Sequence, residues 1–151
     1  MVKIKKVVLI SVCTIIILFC CWLAFIWPTL KVTFDGSLYY KEKDFREYYL
    51  LTPDLYKNMP RISENYDFYF KNVSGPAFLV WGVRFYGVTN AGPIEEYLKN
   101  QGWKLQKNCH VDAECWLKEG VSEELTLAKS DWEKRIELQL EANRYIRTYE
   151  E

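Results

Sequence analysis

The 151-residue chain carries 20 basic and 20 acidic side chains and one histidine, so it has no net formal charge near pH 7. That balance offers no basic stripe for a phosphate backbone and excludes a nucleic-acid partner.

Residues 7–27, VVLISVCTIIILFCCWLAFIW, contain no charge. As a helix they reach roughly 30 Å, about the thickness of a bilayer's hydrocarbon core. Lys3, Lys5 and Lys6 precede this run, and the first acid is Asp35. The positive-inside rule then predicts a cytoplasmic segment 1–6, a transmembrane helix 7–27 and an extracytoplasmic domain 28–151. Trp22 and Trp27 fall at the far end of the run, where indoles favour the headgroup level. Pro28 predicts that the helix stops near Trp27. A cleaved signal peptide is the competing reading, but its apolar core is shorter and ends at a small-x-small site. Ala24 has no small partner two positions away. A lipoprotein signal places a small residue before the modified cysteine; Cys20 holds that place before Cys21, and the chain stays apolar to Trp27. The anchor is therefore expected to stay attached, with Cys13, Cys20 and Cys21 as small apolar fillers.

About 120 residues remain, enough for one core and too few for two. They hold all 20 acids and 17 of the 20 bases, so the domain is mildly acidic. All eleven tyrosines lie here as well, mostly at core-like spacing, which favours sheet packing over a sugar-stacking platform.

Asp35-Gly36 between β-formers predicts a hairpin over 31–40. Asp44 with Glu47 resembles a capping box for a short helix that places Phe45, Tyr48 and Tyr49 on one face. Pro53 ends that helix or starts a further turn over 54–57. In 65–73 Tyr66, Phe68 and Phe70 point one way while Asp67 and Lys71 point to water, the pattern of a half-buried strand. Ser74-Gly75-Pro76 ends it. Residues 78–89 are apolar on both faces and read as a central strand, with Gly82 and Gly87 as bulges. Gly92 as N-cap, Pro93 at N1, Glu95 and Glu96 in the first turn and Gly102 as the stop delimit a helix buried through Ile94, Tyr97 and Leu98.

Short strands follow over 103–106, 115–118 and 124–128. In 133–142 Ile136, Leu138, Leu140 and Ala142 alternate with Glu137, Gln139 and Glu141. This predicts a strand with a polar tail beyond, although Ser130 and Glu133 imitate a capping box. The fold class expected is α+β: one N-terminal transmembrane helix, then a small antiparallel-sheet domain with one or two short helices.

Cys109 and Cys115, in CHVDAEC, are the only cysteines beyond the anchor. An oxidising compartment pairs them. His110, Asp112 and Glu114 between the thiols suggest a metal, but so short a loop cannot wrap one ion with all these groups, and no metal or cofactor is expected. His110 has no nucleophile elbow to serve, so no catalytic residue is assigned and the chain is expected not to be an enzyme. Asn72-Val73-Ser74 is a formal glycosylation sequon, relevant only in a eukaryotic host.

An uncleaved anchor followed by a small disulfide-bearing domain resembles, in layout, several groups of bacterial envelope proteins. Among these are toxin and bacteriocin immunity proteins and accessory subunits of envelope complexes. The layout implies an inner-membrane protein with its domain in the periplasm, binding another envelope protein or a toxin. The alternative is an envelope hydrolase built on paired carboxylates.

Overall fold

A computed structural model describes residues 2–73, 78–109 and 111–143. The Ser74-Gly75-Pro76 turn, His110 and the polar tail from 144 lie outside the described residues.

Helix α1 (Val2–Asp35) runs for 34 residues with Pro28 inside it, so the expected stop near Trp27 is corrected. Proline removes one N–H and strains the preceding turn without forbidding helix beyond it. Contacts with the domain hold the extension. Val32 packs against the core, and the Phe34 carbonyl accepts a hydrogen bond from Asn72 Nδ2 at 2.7 Å. The expected hairpin over 31–40 is therefore absent: its first half is helix. Its second half, β1 (Ser37–Tyr40), pairs with the later strand β2 (Tyr66–Val73).

Between β1 and β2 lie α2 (Phe45–Leu51) and the single turn α3 (Asp54–Lys57). The helix at 45 forms as expected, without the capping box. The Asp44 carboxylate accepts from the Lys41 N–H at 2.8 Å instead, and Glu47 pairs with Arg46. The three aromatics do not share a buried face. Tyr48 packs on Phe68 at 5.3 Å between ring centroids, while Phe45 and Tyr49 are exposed.

Strand β3 (Phe78–Tyr86) is followed by α4 (Gly92–Asn100). The N-cap of α4 is Ala91 rather than Gly92. Asn90 Oδ1 accepts from the Gly92 N–H at 2.9 Å, satisfying one orphan donor of the first turn. Gly102, at φ 85°, ends the segment as expected. Strands β4 (Lys104–Leu105), β5 (Glu114–Leu117), β6 (Glu124–Ser130) and β7 (Arg135–Asn143) complete the chain. Alternation prevails over the helical reading at the end. Ser130 to Glu133 lie at the β6–β7 turn, with Lys134 at φ 47°.

The seven strands form one antiparallel sheet in the order β1-β2-β3-β7-β6-β5-β4. β3 is internal, as expected, between β2 and β7. α2, α3 and α4 contribute Leu51, Tyr56, Ile94 and Leu98 to the core. There they join Phe68, Phe70, Val83, Phe85, Trp116, Leu125, Leu127, Ile136 and Leu138. Tyr56, fully buried, sets its hydroxyl 3.1 Å from the Trp81 carbonyl and 3.3 Å from that of Leu138, tying the helical layer to the β3–β7 seam.

Cys109 and Cys115 form a disulfide with Cα atoms 5.5 Å apart, tying the approach of β5 to β5 itself. So short a ring contributes roughly 2 kcal/mol by loop entropy. Reduction is expected to lower urea-unfolding stability by about that amount, and alkylation before reduction should leave both thiols unmodified.

Candidate functional site

Strand residues alternate between faces, so the face opposite the core carries a set of its own. Tyr39, Tyr69, Gly82, Gln139 and Thr126 lie side by side across five strands. Asp67, Arg84, Glu137 and Ala128 form the neighbouring row, and Lys71, Val80, Glu141 and Glu124 flank the first row on its other side. Their side chains cover one another: Tyr69 is 1% and Glu137 7% exposed.

Gly82 is the pivot. A Cβ there would overlap the ring and hydroxyl of Tyr69, so the missing side chain lets Tyr69 lie flat across β3. The expected bulge is absent, and the register runs unbroken from Tyr66↔Phe85 to Val73↔Phe78. Tyr69 Oη donates to Glu137 Oε1 at 2.6 Å, and Gln139 Nε2 donates to the same oxygen at 2.9 Å. Arg84 Nε stands 3.1 Å from Glu137 Oε2. The Arg84 guanidinium lies 4.6 Å from the Tyr69 ring centroid and 5.3 Å from that of Tyr39. Tyr39 is 53% exposed and is the outermost aromatic of the stack.

Electrostatics follows geometry. Burial pushes the Glu137 carboxyl up, but the hydrogen bonds from Tyr69 and Arg84 outweigh it and leave its pKa below the usual range. Burial, reinforced by Glu137, drives the Tyr69 hydroxyl far above its ordinary value. Burial opposes the Arg84 charge, yet Glu137 raises its affinity for the proton. Glu137 is thus an ionised anchor neutralised by Arg84, and Tyr39 is the aromatic ring that this face exposes over the pair.

Glu124 and Glu141 form an acidic pair on the same face. They stand directly opposite across β6 and β7, and burial followed by repulsion from Glu124 raises the Glu141 pKa. A carboxyl whose pKa is raised on folding costs stability as pH climbs through that range. Glu141→Gln is expected to stabilise the domain by about 0.5 kcal/mol at pH 7, with no gain below pH 4, in urea melts at both values.

Two shallow hollows open elsewhere. One, about 330 Å³, is lined by Pro60, Arg61, Ile62, Val88, Thr89, Asn90 and Pro93. The other, about 560 Å³, is lined by Arg61, Ile62, Ser63, Glu64 and Tyr66. Arg61, common to both, is committed to structure. Its Nε donates to Glu42 at 2.8 Å, and its Nη1 donates to the carbonyls of Tyr56 and Met59 at 2.8 Å each. Glu64 is the one carboxylate lining either hollow, so neither presents a pair.

The tryptophans fill structure rather than a pocket: Trp116 and Trp103 are buried and Trp81 packs against the core. Trp132, 93% exposed, stands at the β6–β7 turn. Trp22 and Trp27 are exposed on α1. Lys3, Lys5 and Lys6 lie in its first turns, Lys6 exposed and the side chains of the other two outside the described residues. Among the described residues no group of three or more His, Cys, Asp or Glu is placed to hold a metal ion. Sequence reasoning did not single out Tyr39, Tyr69, Arg84 or Glu137. The one local signal was Gly82, a glycine amid large side chains in a central strand.

No protein-family model matches the chain, and no curated protein or solved structure matches it either.

Proposed function

We propose that the protein is a single-pass, membrane-anchored domain that binds another envelope protein through the sheet face opposite the core, which no helix covers among the described residues. α1 supplies the span: Lys6–Pro28 is long and apolar enough to cross a bilayer, and none of it is buried against the domain. The lysines at its start favour a cytoplasmic N-terminus, which puts the domain in the periplasm of a bacterial inner-membrane protein. The Cys109–Cys115 disulfide suits that oxidising side. Tethering confines the domain to the membrane plane and raises its effective concentration near partners held there.

The observation that carries the binding reading is the Tyr39–Arg84–Tyr69 stack over Glu137. Aromatic and arginine side chains dominate the energetics of protein contacts, most of all when neighbours hold them rigid. Neutralising a toxin and assembling or regulating an envelope complex are the two roles that fit such a display. A photoreactive residue replacing Tyr39 should give one discrete crosslinked protein in intact cells, whereas the same residue at Glu119, 93% exposed, should not. Tyr39→Ala should weaken binding of that captured partner about 30-fold, near 2 kcal/mol. Equal, diffuse crosslinking at both positions would overturn the reading.

A further inference from the structure

α2 has two unlike sides. Leu51 and Tyr48 face the core, while Phe45, Tyr49 and Leu50 are 72, 65 and 43% exposed. The Phe45 and Tyr49 rings stack at 6.0 Å, forming one apolar plate. Arg46, between them in sequence, fixes where that plate sits. Its Nη1 donates to the Phe25 carbonyl at 3.4 Å, and its guanidinium lies 5.8 Å from the Phe25 ring centroid. Phe25 belongs to the apolar stretch Lys6–Pro28, three residues or about 4.5 Å short of its end. α2 is thus level with the last turn of the span, although α1 continues to Asp35.

The sheet contacts give the same direction. Asn72 meets Phe34, and Phe68, four residues earlier in β2, meets Tyr48 of α2. β2 therefore lies with its Tyr66 end toward the span and its Val73 end away from it. The domain leans back along the helix instead of standing beyond it.

We propose that the Phe45–Tyr49–Leu50 face of α2 lies in the lipid interface, beside the point where α1 leaves the bilayer. Aromatic rings and aliphatic chains are favoured at that depth. Lys57 suits it too: its Nζ is 3.3 Å from the Tyr49 carbonyl, 5.4 Å from the Tyr49 ring centroid and 3.4 Å from Asp54 Oδ1, an ammonium beside the rings of the kind found at the headgroup level. Two contacts with the membrane, one spanning and one interfacial, would fix the tilt of the sheet and the direction in which its uncovered face looks. The inference rests on the membrane reading above, and its test separates the two.

In the full chain with Cys13, Cys20 and Cys21 replaced by alanine, a spin label is placed singly at Tyr49→Cys, Ile16→Cys or Glu119→Cys. Each protein is reconstituted in vesicles of phosphatidylethanolamine and phosphatidylglycerol, and collision with oxygen is compared with collision with a water-soluble nickel chelate. Position 49 should favour oxygen over nickel severalfold more than position 119, with position 16 higher still. Lipid-like values at 16 with a water-like value at 49 would overturn the interfacial site alone. Water-like values at 16 would overturn the span and the site together. Shielding of 49 from both reagents would mean that a protein, a second copy included, covers α2, which also overturns the proposal. Phe45→Trp, a milder change, gives a second readout: its added emission should be quenched by lipids brominated high on the acyl chain.

Discussion

Glu137→Ala is expected to destabilise the domain by about 3 kcal/mol. The carboxylate is 7% exposed and serves Tyr69, Gln139 and Arg84 together. Truncating it leaves the Arg84 guanidinium, with 19% of its side chain exposed, without the carboxylate it pairs with. It also leaves the Tyr69 hydroxyl without its acceptor. Losing one partner of a covered pair costs far more than the pair adds over apolar packing, because the remaining charge stays desolvated. Urea unfolding followed by circular dichroism measures the loss directly. Glu137→Gln should cost less, since an amide oxygen can still accept from Tyr69. Acid separates the two states of the wild type. The folded pKa of Glu137 lies below its unfolded value, so its contribution is complete above the unfolded pKa and is lost as pH falls through the folded one. Wild type and Glu137→Gln should therefore converge in stability as the solution is acidified below about pH 4.

Gly82→Ala is expected to cost about 3 kcal/mol, an unusual penalty for one methyl group. The backbone at 82 needs no positive φ; space is the constraint. The added Cβ would occupy the place of the Tyr69 ring, which would have to lift away from β3 and off Glu137. Gly87, at φ 76° with nothing near its missing Cβ, makes the control. Gly87→Ala pays only for backbone conformation, about 1 kcal/mol. If the Tyr69 ring is the cause, Tyr69→Val combined with Gly82→Ala should be markedly less destabilising than the two changes added together. Strict additivity in denaturation midpoints would show that the ring and the glycine are independent.

The strands were legible because their pattern is local. Tyr66, Phe68 and Phe70, and later Ile136, Leu138 and Leu140, alternate strictly, and one buried face follows from a period of two. α4 was legible because Pro93 and Gly102 punctuate it. The extension of α1 past Pro28 was not, because it is held by tertiary contacts, Val32 on the core and Phe34 with Asn72, that no window around residue 28 contains. The same contacts removed the hairpin that Asp35-Gly36 advertised. The uncovered face was illegible for a related reason. Tyr69 and Glu137 are 68 residues apart and meet only because β3 pairs with both β2 and β7. Sequence spacing says which side of a strand a residue takes, not which strand lies next to it.

Partner, disulfide and interfacial helix all presuppose a domain held outside the cytosol by an attached span. The direct test is a single reactive cysteine at Glu119, in a chain with Cys13, Cys20 and Cys21 replaced by alanine, exposed in intact bacterial cells to a maleimide that cannot cross the inner membrane. The account predicts labelling before lysis, on a full-length chain that stays with the membranes after alkaline extraction. Labelling only after lysis, or on a shortened chain released into the soluble fraction, would contradict it.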